Sequence, residues 1–136
     1  MKLPLLILLP WLTCISMADE PKSLDDYRWK HRILVVPESS KTILAKLKHF
    51  EIELSERDVI LVVMENSDAG GIGFEIASRF GIEQRNQEIL LIGKDGKTTI
   101  RWIKTEFAIE KLFQRIDAMP MRQREIRMQT NQSPNP

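Results

Sequence analysis

The sequence has few of the residues that carry thiol or metal chemistry. Its 136 residues include a single cysteine, Cys14, and two histidines, His31 and His49. Cys14 lies in an N-terminal apolar segment, so the rest of the chain cannot hold an iron–sulfur cluster through cysteine or use a cysteine nucleophile. A zinc site needs three or four ligands on fixed elements, and neither histidine is spaced with such a set. We therefore predict no metal and no cofactor.

The chain also lacks an excess of charge of either sign. Its 20 lysine and arginine side chains are balanced by 19 aspartate and glutamate side chains, and the formal net charge is +1. Binding to nucleic acid depends largely on positive charge that neutralises phosphates. We therefore predict no nucleic-acid partner, because a polyanion would need a local basic patch. The 43% hydrophobic content is typical of one globular domain.

The longest apolar run stands at the N-terminus. Lys2 is followed by an apolar stretch from Leu3 to Trp11 and then by Ser16-Met17-Ala18, a small-x-small pattern. This order is typical of a secretory signal peptide. The alternative is a membrane anchor, but a spanning helix needs about 20 apolar residues, and this run is shorter and contains two prolines. We predict a signal peptide over residues 1–18, a periplasmic or secreted protein and no stable membrane anchor after cleavage.

Four segments have the pattern of β-strands. They lie at residues 27–36, 59–64, 88–93 and 98–104. The first alternates large rings with cations before it becomes continuously apolar, and the second is apolar throughout. Continuous β-branched runs are typical of strands covered on both faces, so the second segment is predicted to be a central parallel strand. Between the last two segments, Asp95-Gly96 predicts a tight hairpin turn.

Three segments have the spacing of amphipathic helices. They lie at residues 41–54, 74–80 and 106–119. Ser39 and Ser40 are good N-caps for the first, Gly81 ends the second, and Thr105 caps the third. The order β-α-β-α-β-β-α predicts an α/β fold, in which a mixed four-stranded sheet has helices on both faces.

The domain is predicted to occupy residues 19–120. Proline cannot continue a helix, so Pro120 is expected to end the last one. The remaining residues, 121–136, are polar and hold little that could be buried. We therefore predict that they form a mobile cationic tail.

Four stretches of the sequence resemble the DUF4174 family. They are YRWKHRILVV in the first strand, ERDVILVVMEN in the second, LIGKDGKTTIRW through the hairpin and IDAMPMR at the end of the last helix. The resemblance covers about residues 24–125. It identifies the chain with bacterial relatives of the peroxiredoxin-like domain in sushi-repeat and coiled-coil-domain matrix proteins. The resemblance implies a thioredoxin-like fold with no established activity.

The resemblance also implies that the active-site cysteine pair of thioredoxins is missing. A redox thioredoxin places its nucleophilic cysteine after the first strand, at a helix N-terminus that lowers the thiol pKa. Here that loop reads VPESSKT, residues 36–42, and the loop before the third strand, residues 85–88, has no proline at the place of the thioredoxin cis-proline. Serine cannot replace the thiol without a dedicated base. We predict no thiol oxidoreductase or peroxidase activity.

Two segments are candidate ligand or anion sites. They are the N-terminus of the first helix, with Ser39, Ser40 and Lys41, and the glycine-rich turn with Gly70, Gly71 and Gly73. Free N–H groups at a helix N-terminus bind anions, but the serines are equally suited to plain capping. The glycines lack both GxGxxG spacing and a GK[ST] ending. A flexible turn into a helix is therefore the alternative for them.

Two cationic segments form a candidate partner surface. Its residues are Arg28, Lys30, Met121, Arg122, Arg124 and Arg127. Arg28 and Lys30 are expected on one side of the first strand, with Tyr27 and Trp29 packed on the other. Met and Arg are common at protein interfaces. The alternatives are surface ion pairs and a frayed C-terminus.

Three functional classes remain after these exclusions. A binding module is favoured, and an enzyme with a non-thiol site at the first-helix N-terminus is the alternative. A passive envelope or stress protein is the third class. A His or Arg beside Ser40 in a concave pocket would favour the enzyme, whereas an exposed ridge of Met and Arg would favour binding.

The signal sequence predicts a mature protein that begins at Asp19. Cleavage after Ala18 removes Lys2 and Cys14, which leaves equal numbers of basic and acidic side chains and no thiol. Mass spectrometry of the exported protein should give the mass of a chain that starts at Asp19. Retention of Met1 or Cys14 would contradict this prediction.

Overall fold

The computed structural model describes residues 23–65, 71–82 and 87–132. The predicted signal peptide and Gly70 lie outside these ranges. A short 3-10 helix at Leu24–Tyr27 comes first. The strands are β1 (Arg32–Pro37), β2 (Val59–Met64), β3 (Glu88–Ile92) and β4 (Thr99–Ile103), and the helices are α1 (Lys41–His49), α2 (Glu51–Glu56), α3 (Ile72–Phe80), α4 (Ile109–Asp117) and α5 (Pro120–Gln132).

The strands form one mixed sheet in the order β2-β1-β3-β4. β1 and β2 are parallel, with Arg32 beside Val59, and β3 is antiparallel to both β1 and β4. The predicted α/β class and mixed four-stranded sheet are therefore confirmed. The prediction of a central β2 is wrong, because β1 is central and β2 is an edge strand. An apolar run indicates that both faces of a strand are covered. It does not indicate whether the strand has a hydrogen-bonded neighbour on each side.

Alternate residues of β1 face two separate apolar layers. Leu34 and Val36 pack in a core with α1, α2 and α4, while Ile33 and Val35 pack in a second core with α3 and the 3-10 helix. Side chains of a strand alternate between its faces, so a continuous apolar strand supplies both layers. All six residues of β1 are buried.

The first predicted helix is interrupted once. Residues 41–54 are divided into α1 and α2 at Phe50, where φ is −111° and ψ is 25°. The Phe50 N–H donates to the Leu47 carbonyl, which tightens the last turn of α1. At the end of α3, Gly81 has a φ of 66° and acts as the predicted C-cap. Thr105 lies in a turn, and the N-cap of α4 is Ala108.

The segment before β1 is a turn, so the prediction that the strand begins at Tyr27 is wrong. Ser23 caps the 3-10 helix through a capping box with Asp26, and this local arrangement replaces the predicted alternation. Trp29 has a φ of 68° and is 58% exposed, so its predicted packing is also wrong. The Arg28 guanidinium lies 5.1 Å from the centre of the Trp29 ring.

The hairpin connection is closed by the Asp95 carboxylate. It accepts hydrogen bonds from the N–H groups of Lys97 and Thr98 at 3.0 and 2.9 Å and from the Thr98 hydroxyl at 2.6 Å. Burial raises the pKa of Asp95, but these hydrogen bonds lower it by more, so the pKa lies below 3.8. Gly96 has the positive φ, 71°, that the Asp-Gly pair predicts.

The C-terminal segment is helical where a mobile tail was predicted. Pro120 is the first residue of α5, a position in which proline is favoured because its missing N–H would have no helical partner. Arg122 is 7% exposed, and its guanidinium donates to the Glu56 carbonyl at 3.0 Å. The expectation that the chain after Pro120 leaves the folded body is therefore wrong for α5.

A buried cluster of charges joins α5 to the sheet. Arg32 at the start of β1 is 1% exposed, and Lys94 after β3 is 8% exposed. Glu125 of α5 accepts from Arg32 at 3.2 Å and from Lys94 at 2.6 Å. Lys94 also contacts Asp58 at 2.7 Å. The Arg122 guanidinium also donates to Glu125, at 3.4 Å. Charged groups this deeply buried need partners, so Glu125 compensates three cations at once.

Replacing Glu125 by Gln should lower the free energy of unfolding at pH 7 by about 3 kcal/mol. That is the lower end of the cost of breaking a buried ion pair, since the Glu125 side chain remains 21% exposed. Denaturant unfolding measures the change. Glu106→Gln alters an exposed turn residue and should change stability by less than about 0.5 kcal/mol.

The effect of Glu125→Gln should depend on pH. Burial raises the pKa of Glu125, but hydrogen bonds from Lys94 and Arg32 lower it by more, so the pKa lies below 4.5. A carboxylate with a lowered pKa stabilises the fold above its unfolded pKa and loses that contribution as the pH falls through its folded pKa. The stability difference between wild type and variant should therefore shrink below pH 4.5. A difference that stays constant down to pH 2 would contradict this assignment.

Candidate functional site

The carboxyl ends of β1 and β2 lie at one edge of the sheet. Because these strands are parallel, the helices that follow them, α1 and α3, begin at that same edge. Ser40 is the N-cap of α1, and Gly71 is the N-cap of α3. The topology therefore places the two sequence-predicted anion segments at a common edge, with Gly70 outside the described residues.

Ser40 is buried in the domain and does not cap α1 through its side chain. It is 1% exposed, and its Oγ has no hydrogen-bond partner in the described structure. Its backbone is paired, because its N–H donates to the Pro37 carbonyl and its carbonyl accepts from the Leu44 N–H, both at 3.0 Å. The predicted capping by the Ser40 hydroxyl is therefore wrong, and Ser39 beside it is exposed.

A lysine that the sequence analysis did not select also lies at this edge. The Lys104 Nζ donates to the Ser39 carbonyl at 3.2 Å, while Lys41 at the start of α1 is exposed. Lys104 directly follows β4, whose end lies at the same edge as the end of β1. Lys104 comes close to Ser39 because β4 runs in the same direction as β1, two strands away. The sequence pattern does not contain this strand order, so it could not point to Lys104.

Neither histidine is placed to act on Ser40. His31 precedes β1 and therefore lies at the opposite edge of the sheet, and His49 is the last residue of α1. A nine-residue helix is about 13 Å long at 1.5 Å per residue. A serine nucleophile needs a base within hydrogen-bond reach. Among the described residues, no group of three or more His, Cys, Asp or Glu could hold a metal ion.

The described part of the glycine-rich segment forms an ordinary entry into a helix. The Gly71 carbonyl accepts from the N–H groups of Phe74 and Glu75 at 3.1 and 3.2 Å. A Cβ at Gly71 would meet nothing within 4 Å, so no close backbone approach requires glycine there. Gly73 is buried in the first turn of α3. Within the described residues, this is the geometry of an ordinary turn into a helix.

The predicted partner surface is divided by the fold. Arg28 and Lys30 lie exposed in the turn before β1, whereas Arg122 is buried under α5. Arg124 and Arg127 remain exposed on α5, and Met121 is half-buried. Arg122 therefore serves the internal charge cluster and does not belong to an exposed ridge.

A groove of about 540 Å³ runs between α1, α2 and strand β2. Its wall is largely apolar, and charged and imidazole groups lie along it. The apolar lining includes Leu44, Leu47, Leu54, Val59, Leu61 and Val63, and the other groups include His31, Lys48, Glu51 and Asp58. Ligand sites are typically concave and mostly apolar with a few polar groups. The sequence pattern gives no sign of this groove, because the apolar run of β2 predicts a strand at the centre of the sheet.

The outer edge of β2 borders the groove. The Arg32 N–H donates to the Asp58 carbonyl at 2.7 Å, and the Glu38 N–H donates to the Met64 carbonyl at 3.0 Å. In a parallel ladder, alternate residues face the neighbouring strand. The N–H and C=O groups of the intervening residues, Val59, Leu61 and Val63, therefore point away from β1. Over residues 23–65, 71–82 and 87–132, the sheet has no strand beyond β2.

Comparison with known proteins gives one match. The model of a family described as a domain of unknown function, DUF4174, matches residues 23–125. No curated protein and no solved structure matches the sequence. In the part of the chain that the structure describes, no helix is long and apolar enough to cross a membrane.

Replacing Ser40 by Ala should leave stability unchanged or raise it. The hydroxyl of Ser40 is buried without a partner, and removing an unsatisfied polar group removes its desolvation cost. Ser23→Ala is the matched control, because the Ser23 side chain accepts from the Asp25 N–H at 3.3 Å and its loss should cost about 1 kcal/mol. Thermal and denaturant unfolding of both variants measure this. A loss above about 1 kcal/mol in Ser40→Ala would contradict the unsatisfied assignment.

Proposed function

The chain belongs to the DUF4174 family, and from this premise we propose that it is an exported, thiol-free, thioredoxin-like module that binds a polypeptide and does not catalyse a reaction. The sheet order β2-β1-β3-β4, with one parallel pair and an antiparallel hairpin, supports the thioredoxin-like description. The signal pattern of residues 1–18 supports export to the periplasm or the medium.

The observation that carries this proposal is the apolar groove beside the open edge of β2. Val59, Leu61 and Val63 direct backbone N–H and C=O groups outward, and the groove that they line has Leu44 and Leu47 on its other side. An extended segment that adds a strand to a sheet edge gains hydrogen bonds from the backbone and specificity from pockets for alternate side chains. Both features are present at this edge.

An enzyme with a site at the α1 N-terminus is the alternative. The amine of Lys104 near Ser39 and the exposed Lys41 would suit an anionic substrate. Catalysis by Ser40 has less support, because its hydroxyl is buried and no histidine lies at that edge to take its proton. The binding module is therefore the better-supported function.

Titration with a strand-forming peptide tests the proposal. The probe is an uncharged hexapeptide of alternating Val and Thr, which is added to ¹⁵N-labelled protein. The protein concentration is kept low enough that analytical ultracentrifugation shows a monomer. Binding should shift the amide resonances of Val59, Leu61 and Val63 more than those of Ile60 and Val62, whose N–H groups face β1. The control peptide has an N-methyl group on every residue, which removes the hydrogen-bond donors along both of its edges.

The outcome separates the two functions. Shifts at the outward amides of β2 that are lost with the methylated peptide would support the binding module. Shifts confined to Ser39 and Lys41, or no shift of β2 at millimolar peptide, would overturn it.

A further inference from the structure

We propose that the strand bound at the edge of β2 is the β2 of a second copy of this chain. The two strands would be antiparallel about a twofold axis that passes beside Leu61, and the two sheets would join into one. This inference rests on the proposed function, because it names the partner of the same surface. It commits to a register that can be tested residue by residue.

The hydrogen-bonding groups of β2 are complementary to themselves. A twofold axis at Leu61 places Leu61 opposite the partner's Leu61, and Val59 opposite the partner's Val63. In an antiparallel ladder, two opposite residues that face each other exchange both N–H···O=C bonds. Because Val59, Leu61 and Val63 are the residues whose groups point outward, this register pairs all of them in both copies.

The side chains of the same residues are apolar. Leu61 is beside Leu34 in the parallel register, so it faces the layer that contains α1 and α2, and it is 38% exposed. The twofold axis would bring Leu61 against the partner's Leu61 and cover both. Apolar area is thereby removed from water at the centre of the interface, where binding energy is usually concentrated.

The two edges of the sheet differ in how they resist pairing. β4 contains Arg101, which is exposed and forms an ion pair with Glu88, and Lys104 follows its end. The six residues of β2, VILVVM, contain no charge and no proline. Charged side chains are a common means of blocking an edge strand, and a bare apolar edge invites another strand. β2 is therefore the edge that is suited to pairing.

The charges at the ends of β2 favour an antiparallel arrangement. Lys48 lines the groove near the start of β2, together with Asp58 and Val59, and the exposed Glu65 follows the end of the strand. The twofold axis at Leu61 would place the partner's Glu65 opposite Arg57, beside Asp58 and on the side of Lys48. A parallel partner would place two Glu65 carboxylates side by side. Glu51 also lies along the groove, so the apolar ladder supplies more of the affinity than charge does.

Cysteine cross-linking tests the partner and the register together. The background is the full chain with Cys14→Ser, which has no other cysteine. Opposite residues in a hydrogen-bonded antiparallel pair have Cα atoms about 5.5 Å apart, which suits a disulfide. Leu61→Cys should therefore form a disulfide-linked dimer on mild oxidation. Ile52→Cys is the matched control, because Ile52 is an apolar side chain of α2 that is 73% exposed.

Two further variants fix the register. Val59→Cys and Val63→Cys should each remain monomeric on oxidation, because each would lie about four residues, or 13 Å, from its own copy. Mixed together, they should form the heterodimer. A Val63→Cys homodimer, or a mixture that does not cross-link, would overturn the proposed register.

Sedimentation provides a measurement without cysteine. Wild type and Ile52→Lys should show a concentration-dependent dimer, and Leu61→Lys should lose it while unfolding near the wild-type temperature. A monomeric wild type with no Leu61→Cys cross-link would overturn the second-copy proposal. If peptide titration then still shifts the outward amides of β2, the binding function stands alone, and if it does not, both proposals fail.

Discussion

The backbone N–H and C=O groups of β1 must be hydrogen-bonded because the strand is buried, and this requirement positions the rest of the domain. All six residues of β1 are buried, and an unpaired backbone group away from water costs about 1–3 kcal/mol. β2 and β3 satisfy that requirement from opposite sides, and the apolar layers on both faces are completed by the helices. Among the strands that the structure describes, the same pairing leaves β2 and β4 at the edges of the sheet. The candidate binding surface is therefore a consequence of how the central strand is buried.

The charge on Arg32 imposes a second constraint on the fold. Arg32 opens β1 and is 1% exposed, so its guanidinium needs a carboxylate that can enter the interior. Glu125 supplies it from α5 and also contacts Lys94. This contact makes α5 a part of the domain, in agreement with a family match that extends to residue 125.

The end of the sheet at which β1 and β2 finish and the outer side of β2 support different chemistry. At the carboxyl ends of β1 and β4, the Ser40 hydroxyl is enclosed and the Lys104 amine contacts a backbone carbonyl, so neither group is placed to activate a substrate. Along β2, backbone donors and acceptors lie beside an apolar groove. Binding requires only that complementary groups be presented together, and it needs no activated nucleophile.

The four strands, the amphipathic helices before Pro120, the Gly81 cap and the positive φ of Gly96 could be predicted from the sequence, because periodicity and turn chemistry are local properties. The sequence pattern misjudged the turn before β1, where the Ser23 capping box replaced an apparent alternation, and it misjudged Pro120, which is as well suited to begin a helix as to end one. The edge position of β2, the burial of Ser40 and the contact between Glu125 and Arg32 could not be predicted in this way. Those outcomes depend on which segments, distant in sequence, become neighbours, and a one-dimensional pattern of burial does not contain the order of the strands.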